Sequence, residues 1–225
     1  MDTKGELILI GAISPFVHRV IWALKLKGLK FEYVEVDLCS KSEILVKYNP
    51  IHKKVPVLIH GGKSIVESVV ILEYIEETWP GVHRLFPDDP YERALARFWI
   101  KFGEDNIRTS FTFFVTVGEE QEKAVGEAKE VLSILEKDVL GRKKFFGGNE
   151  IGMTDLVFGW IPCFLNALEE ASGVRVMSEC GNDFPRLRAW CKDIRDVIVV
   201  KETKLDPVEM LSYLRRRREI FISKS

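Results

Sequence analysis

The segment Ser14-Pro15-Phe16 places a hydroxyl group at the predicted start of a helix, directly after a short apolar segment. Serine is a preferred N-cap residue and proline a preferred first helical residue, so the residue types alone favour a structural cap. The alternative is chemical, because the free N–H groups and the positive dipole end of a helix start stabilise an anion. A thiolate is one such anion, and a hydrogen bond from the Ser14 hydroxyl to it would lower the pKa of the thiol.

A second segment, Lys53-Lys54-Val55-Pro56-Val57, puts a proline immediately before a predicted strand. Proline has no backbone N–H to donate to a neighbouring strand, so it is expected at the start of a strand or at the edge of a sheet. A cis Val55–Pro56 bond would turn the Val55 backbone outward, free to pair with an extended ligand. Because only about 5–6% of X-Pro bonds are cis, the spacing alone favours an ordinary trans turn.

A third segment, Glu67-Ser68, opens another predicted helix. One interpretation is again a cap. In the other, the Ser68 hydroxyl and the first-turn amides receive a carboxylate while Glu67 pairs with an ammonium group. Each of the three segments is a weak signal alone, and their value lies in their order along the chain.

Short strands alternating with helices position the three segments. The predicted strands are Glu6–Gly11, Phe31–Val36, Val57–His60 and Ser64–Val66, and the predicted helices are Pro15–Leu26, Lys41–Tyr48 and Ser68–Thr78. This βαβαββα order predicts a small mixed sheet with helices on its faces. All three segments then lie at the ends of elements on the same side of the sheet.

The remaining two thirds of the chain lack strand signals. Residues 79–90 contain three prolines and no periodicity, which is typical of a linker. Helical spacing follows over Tyr91–Val117, Glu120–Leu140, Thr154–Ala171, Phe184–Val197 and Pro207–Phe221. The sequence therefore predicts a small α/β domain followed by an all-helical domain.

Composition excludes several classes of protein. The 225 residues carry 33 basic and 34 acidic side chains, without the basic bias of nucleic-acid binders. The four arginines Arg215–Arg218 are more typical of a solvated helix face than of a nucleic-acid or lipid patch.

The four cysteines form no C-x-x-C pair, so we expect neither a disulfide framework nor a metal site. The N-terminus does not resemble a signal peptide, and no uncharged stretch reaches the roughly 18–20 residues of a membrane helix, so the expected setting is the reducing cytosol, away from membranes.

Three motifs together carry a family resemblance: SPFVHRVIWALKLKGLKFEYVEVDL (14–38), KSEILVKYNPIHKKVPVLIHGGKSIVES (41–68) and YIEETWP (74–80). They resemble the plant tau class of glutathione transferases, and the resemblance extends from near residue 5 to beyond residue 215. GGNEIGMTDLVFGW (147–160) is similar to the helix-start signature of the second domain in that family. Gly152 would then be the N-cap and Asp155 would support the first turn three residues later.

The resemblance implies an α+β, mostly α-helical fold: a thioredoxin-like domain over 1–80, a linker over 81–90 and an all-helical domain over 91–225. It also implies a homodimer that uses glutathione as co-substrate and binds no permanent cofactor or metal. The resemblance implies that Ser14 stabilises the thiolate of glutathione. The Val55 backbone, beside a cis Pro56, would pair with the cysteinyl part of the tripeptide. Glu67 and Ser68 would bind the γ-glutamyl end, and Lys41 and Lys54 would lie near the glycyl carboxylate.

The implied activity is conjugation of the thiolate to hydrophobic electrophiles, with glutathione peroxidase activity toward organic hydroperoxides as a further activity. The electrophile pocket is expected between the domains, lined by Phe16, Leu38, Ile107, Phe111, Phe114 and Phe164. The run Phe111–Phe114 fits a pocket and a core equally well. Ala12 stands where the family commonly has an aromatic residue, so we expect a wider pocket or an altered preference for electrophiles.

Two other functions are weighed against conjugation. Thiol–disulfide exchange is disfavoured because the Ser14 hydroxyl cannot form a mixed disulfide. A non-catalytic carrier of hydrophobic metabolites that retains glutathione binding is compatible with the fold. The joint presence of Ser14, Pro56, Glu67 and Ser68 argues against a carrier without catalysis.

Overall fold

Chain contacts divide the computed structural model into two units, Met1–Phe86 and Pro87–Ser225. The structure describes residues 5–38, 42–141, 143–177 and 183–223. The division falls inside the predicted linker, 81–90. Lys41, one of the predicted glutathione contacts, lies outside the described residues.

The first unit has the predicted element order. Its elements are β1 (Leu7–Gly11), α1 (Pro15–Leu26), β2 (Glu32–Glu35), α2 (Glu43–Tyr48), β3 (Val57–His60), β4 (Lys63–Val66) and α3 (Ser68–Thr78). The four strands form one sheet in the order β2-β1-β3-β4, with β1 and β2 parallel and the other pairs antiparallel. The predicted mixed sheet is confirmed.

Alternating side chains bury both faces of this sheet. One face forms an apolar cluster made of Ile10, Val36, Leu45, Val57 and Ile59. The other face carries Leu9 and Leu58, both fully buried.

Gly11 lies on the Leu9 face, where α1 approaches β1 closely. A Cβ atom on Gly11 would lie 2.6 Å from Cγ1 of Val17 and 2.8 Å from the ring of Tyr33. The absence of a side chain at Gly11 thus lets the first turn of α1 sit directly on the end of β1.

α1 packs against α3, and a buried ion pair joins them. Nζ of Lys27 lies 2.5 Å from Oε2 of Glu76, which also accepts a hydrogen bond from the backbone N–H of Leu85 (3.1 Å). A buried charge is costly unless it is paired, so this contact favours one arrangement of the two helices. It thereby holds the C-terminal ends of the two helices together.

The second unit is helical throughout its described residues. Its elements are α4 (Pro90–Asp105), α5 (Ile107–Val115), α6 (Gly118–Ile134), a π-helical turn (Leu135–Val139), α7 (Met153–Phe158), α8 (Trp160–Ser172), α9 (Pro185–Asp196), α10 (Ile198–Glu202) and α11 (Pro207–Ile222). No helix within the described part of the chain combines the length and the apolar character needed to cross a membrane.

Two helices predicted as continuous are interrupted. The segment Tyr91–Val117 breaks at Asn106, whose side-chain Nδ2 donates to the carbonyl oxygen of Phe102 (2.9 Å). The segment Thr154–Ala171 breaks at Gly159, which separates α7 from α8. Asparagine and glycine both favour departures from regular helix, the first through side-chain hydrogen bonds and the second through its backbone freedom.

The start of α7 contains the most fully satisfied buried carboxylate of the described residues. Asp155 is completely buried, and its oxygens accept four hydrogen bonds of 2.8–2.9 Å from the backbone N–H groups of Phe146, Gly147 and Gly152 and from Nε1 of Trp190. Gly152 is the N-cap, as the resemblance implied. Because glycine has no side chain, only the Asp155 half of a capping box is formed.

Candidate active site

The register of the sheet brings the three candidate segments to one edge. Ile10 of β1 pairs with Val57 of β3, and Val57 pairs with Val66 of β4. Neighbouring strands lie about 4.8 Å apart, so these three positions form a row across the sheet. Ser14 follows the end of this row in β1, Pro56 precedes it in β3 and Glu67 follows it in β4. The predicted common edge is therefore present.

Ser14 is the N-cap of α1, with an extended backbone (φ −161°, ψ 135°). Its Oγ accepts a hydrogen bond from the backbone N–H of Phe16 (3.2 Å). Because Oγ accepts there, the hydroxyl hydrogen is left to donate, and it has no acceptor among the described residues. The cap and the anion-binding interpretation are thus compatible, since one uses the lone pairs of the oxygen and the other its proton.

The Val55–Pro56 peptide bond is cis. The trans turn favoured by the spacing alone is wrong, and the cis bond implied by the resemblance is confirmed. Pro56 is buried, and Val55 is half-buried against the apolar cluster on the Ile10 face of the sheet. Whether the Val55 backbone pairs with a ligand stays a prediction.

Asn49, which the sequence analysis did not single out, builds the loop that carries Lys54 and the cis bond. Its Nδ2 donates to the carbonyl oxygen of Lys54 (3.0 Å), and its Oδ1 accepts from the backbone N–H of His52 (3.2 Å). The side chain is buried. The available signal was Asn-Pro at the end of α2, because asparagine side chains often hydrogen-bond nearby backbone groups in turns.

Replacing Asn49 by alanine removes both of these hydrogen bonds and leaves the Lys54 carbonyl without its partner. We expect the free energy of unfolding to fall by about 1–3 kcal/mol, measured by urea denaturation. Asn49→Asp is the matched variant, because it keeps an acceptor for His52 and loses only the donor to Lys54. An Asn49→Ala protein with wild-type stability would contradict this account of the loop.

Glu67 adopts a positive φ (φ 67°, ψ 114°) directly before α3. A non-glycine residue in this region costs about 1–3 kcal/mol and persists where the surroundings enforce it, often at ligand sites. Its side chain is exposed and forms no cap on α3. The first backbone hydrogen bond of the helix runs from Ile71 N–H to the Glu67 carbonyl (2.8 Å), which leaves the first-turn amides without helical acceptors.

A buried arginine, also missed from the sequence, connects α1 to the start of α3. Arg19 is 2% exposed, and its Nη2 donates to Oγ of the buried Ser68. Its guanidinium lies 5.0 Å from the ring centroid of Phe16. A buried cation beside free amides favours a carboxylate at this end of the site. The signal in the sequence was a charge three residues after Phe16, on the apolar stripe of the helix.

His18 contacts Ser14 from the first turn of α1. Its Nδ1 lies 2.9 Å from the Ser14 carbonyl oxygen, and its ring meets the Trp22 ring edge-on, with centroids 6.1 Å apart. The side chain is buried. Burial lowers the pKa of His18 below its usual 6.5, and the hydrogen bond to Ser14 opposes this effect without reversing it.

The lowered pKa of His18 predicts a loss of stability in acid. The unfolded chain binds a proton near pH 6.5 and the folded chain only at lower pH, so stability is full above about 6.5 and falls as the pH drops below it. The loss contributed by His18 approaches at most about 1.4 kcal/mol per pH unit. Urea denaturation between pH 7 and 5 measures it, and His18→Asn should show a shallower dependence. Equal slopes for the two proteins would contradict the prediction.

The six residues predicted to line a hydrophobic pocket fall into two groups. In the first unit, Phe16 is half-buried beside Arg19, and Leu38 packs against the apolar cluster of the sheet. In the second unit, Ile107 and Phe111 are half-buried on α5, whereas Phe114 and Phe164 are buried. The Phe111 ring lies 4.8 Å from that of Trp160. The pocket role of all six stays a prediction.

Two further positions complete the predicted site. Lys54 is exposed, and Ala12 is buried just after β1. Within 5–38, 42–141, 143–177 and 183–223, no group of three or more histidine, cysteine or acidic side chains is arranged to hold a metal ion.

Two family models match the chain, one in each unit. Residues 5–77 match the model described as glutathione S-transferase, N-terminal domain, and residues 98–196 match that of the C-terminal domain. The two matches together cover most of the chain.

Similar proteins and structures agree with these matches. A Zea mays protein named glutathione transferase GST 23 is 44% identical over 99% of this chain and 100% of its own length. An Arabidopsis thaliana protein named glutathione S-transferase U8 is 48% identical over 94% of both chains. The tau class glutathione S-transferase structure from mango, Mangifera indica, has a TM-score of 0.86 at 34% identity and covers 94% of this chain and 98% of its own. Rice GST1 in complex with glutathione also has a TM-score of 0.86, at 33% identity over 97% and 98% of the two chains.

Proposed function

Since this chain belongs to the plant tau class of the glutathione S-transferase family, we propose that Ser14 holds bound glutathione as its thiolate. The chain is a glutathione transferase, and a non-catalytic carrier role is not favoured, because the similar proteins are named transferases. The observation that carries the role of Ser14 is its hydroxyl group, which accepts from Phe16 and keeps its own hydrogen for donation.

Thiolate formation is the first step that this geometry supports. A free thiol has a pKa near 8.5, so only a few per cent is ionised at neutral pH. The Ser14 hydroxyl donates to the charged sulfur, and the positive end of the α1 dipole acts in the same direction. Both interactions favour the anion, so the thiol proton leaves to solvent at a lower pH than in free glutathione.

The γ-glutamyl end of glutathione is proposed to bind at the start of α3. Its carboxylate would accept from the Ser68 hydroxyl and the first-turn amides, close to the buried Arg19 guanidinium. Its ammonium would pair with the exposed Glu67 carboxylate. The negative carboxylate of the γ-glutamyl end would thereby lie near the positive Arg19 guanidinium, and its positive ammonium group near the negative Glu67 carboxylate.

The rest of the tripeptide is proposed to extend along the same edge. The Val55 backbone, next to Pro56, would pair with the cysteinyl residue. The exposed Lys54 would approach the glycyl carboxylate, together with Lys41. Asn49 supports this segment through the Lys54 carbonyl.

Replacing Ser68 by alanine tests the γ-glutamyl site. The variant loses a donor to the carboxylate and leaves Arg19 without its hydroxyl partner, so we expect the KM for glutathione to rise about 10-fold or more. Ser64→Ala, an exposed serine on β4 of the same unit, is the matched control and should keep the wild-type KM. Equal KM values for the two variants would argue against carboxylate binding at Ser68.

Conjugation then proceeds by attack of the thiolate on a bound electrophile. With an aryl halide, the sulfur forms a bond to the ring carbon and the carbon–halogen bond breaks, which releases halide and a thioether. Holding both reactants together contributes to the rate. The proposed contacts of the electrophile are Phe16, Leu38, Ile107, Phe111, Phe114 and Phe164. With alanine at position 12 in place of a large ring, we expect bulkier electrophiles to be accepted.

A homodimer in the cytosol is proposed as the working form. Exposed apolar side chains of the described residues are candidate contacts between subunits, including Ile51 (84% exposed), Val70 and Phe98. The free thiols of Cys163 and Cys191 suit a reducing compartment. Sedimentation equilibrium distinguishes a dimer from a monomer of 25.9 kDa.

The enzymatic proposal is tested with purified protein, glutathione and a chloronitrobenzene. We expect stoichiometric release of chloride and formation of the thioether. Binding of glutathione without any turnover across a panel of aryl halides, isothiocyanates and hydroperoxides would contradict it and support the carrier role.

A further inference from the structure

The carbonyl oxygen of Ser14 takes part in three hydrogen bonds at the start of α1. The backbone N–H groups of Val17 (3.1 Å) and His18 (3.0 Å) donate to it, as expected at an N-cap. Nδ1 of His18 lies at 2.9 Å from the same oxygen. The third bond is a side-chain contact that helix formation does not require.

The identity of the acceptor determines where the proton of His18 lies. A carbonyl oxygen only accepts, so Nδ1 must carry the hydrogen of this bond. The ring is 7% exposed and is held edge-on by Trp22, which fixes its orientation. Burial also lowers the pKa of His18, so the ring is neutral at physiological pH. The contact is therefore a fixed, uncharged donor aimed at the backbone of Ser14.

The two polar ends of Ser14 are consequently held from two directions. Its Oγ is bonded to the N–H of Phe16, and its carbonyl oxygen is bonded to the His18 ring. The direction of the hydroxyl depends on the backbone angles of Ser14, which are those of an extended N-cap residue. Loss of the His18 contact removes the side-chain restraint on that backbone.

We propose that His18 is a positioning residue for catalysis, whose Nδ1–H donates to the Ser14 carbonyl and holds the Ser14 hydroxyl in the orientation that binds the glutathione thiolate. This inference rests on the proposed function of Ser14. In this proposal the effect of His18 on the thiolate passes through the backbone of Ser14.

The test compares two variants at position 18. His18→Leu removes the donor, whereas His18→Asn retains an N–H donor close to the position of Nδ1. The thiolate absorbance of bound glutathione, titrated against pH, gives the thiol pKa in each protein. We expect the leucine variant to raise that pKa by about 0.5–1 unit and the asparagine variant to return it close to the wild-type value.

His60→Leu is the matched control. His60 is half-buried at the end of β3, and its Nδ1 is 2.6 Å from the hydroxyl of Tyr74. This variant also loses a histidine hydrogen bond in the first unit, but at the opposite end of β3 from Pro56. It should leave the thiol pKa unchanged whatever it does to thermal stability.

The outcomes separate the two proposals. An ordinary thiol pKa in the wild type overturns the proposed role of Ser14. A lowered wild-type pKa that His18→Leu leaves unchanged, or that His18→Asn fails to restore, overturns the role of His18 alone. If the leucine variant does not fold, the imidazole ¹⁵N shifts of the wild type decide. We expect Nδ1 to be protonated, and an unprotonated Nδ1 at neutral pH would contradict the proposal.

Discussion

Replacing Ser14 by alanine is expected to lower kcat/KM for conjugation about 100-fold at neutral pH, the usual cost of removing one hydrogen-bond donor from a bound anion. The hydroxyl lies at the start of α1 with its oxygen already bonded to Phe16, so the substitution removes the donated proton from the thiolate. The loss of activity should be largest below the pKa of the free thiol and should diminish above it, because there the thiolate forms without the help of Ser14.

The matched control for this variant is Ser42→Ala. Ser42 caps α2 as Ser14 caps α1, with its Oγ accepting from the backbone N–H of Leu45 (3.4 Å). Both variants lose a cap, which costs about 1 kcal/mol of stability. Only Ser14→Ala should lose activity, and Ser14→Thr, which keeps a hydroxyl, should recover part of it. Full activity in Ser14→Ala would refute the assigned role.

The largest expected loss of stability follows from Asp155→Ala. The substitution removes the acceptor of four hydrogen bonds in a fully buried site and leaves three backbone N–H groups and the indole N–H of Trp190 without a partner. Since each buried unsatisfied donor is costly, we expect the free energy of unfolding to fall by about 3–5 kcal/mol. Urea denaturation measures it.

Asp206→Ala provides the comparison. Asp206 is the N-cap of α11, and its Oδ1 accepts from the backbone N–H groups of Val208 and Glu209 in an exposed position. Water replaces the lost acceptor there, so we expect a cost of about 1 kcal/mol. If Asp155→Ala and Asp206→Ala lowered the free energy of unfolding by similar amounts, burial would add little to the stabilisation that the Asp155 hydrogen bonds provide.

Helix ends marked by capping chemistry could be predicted from the sequence to the residue. Pro15–Leu26 begins and ends in the structure where the residue types predict. Ser68–Thr78 also has its predicted bounds, although no side chain caps its start. Ser14 and Pro15 fix one start, while Gly28, with its positive φ, follows the end of the same helix. These signals are local, so one sequence suffices to read them.

Interruptions inside apolar helices could not be predicted in the same way. The periodicity of Tyr91–Val117 continues through the break at Asn106, and the π-helical turn Leu135–Val139 keeps the apolar character of the helix before it. Hydrophobic periodicity reports which face is buried and is insensitive to a single irregular turn. The competing side-chain hydrogen bond of Asn106 becomes visible only in the structure.

In the candidate site, too, some features could be predicted from the sequence and others could not. The positions of Ser14, Pro56 and Glu67 follow from element order, because each lies at an element end on one edge of the sheet. The supporting contacts of Arg19 with Ser68 and of Asn49 with Lys54 depend on which side chains meet after folding. Spacing in the sequence cannot determine these contacts, although a charge on an apolar stripe and an asparagine at a helix end were visible signs of them.

The ionisation of bound glutathione is the most direct measure of the central claim. The wild-type protein, saturated with glutathione, is titrated while the ultraviolet absorbance of the thiolate is followed. We predict a thiol pKa about two units below that of free glutathione in the wild type. In Ser14→Ala we predict that it rises by about two units, the shift that matches a 100-fold loss of activity. A wild-type pKa equal to that of free glutathione, or the same lowered pKa in both proteins, would contradict the account.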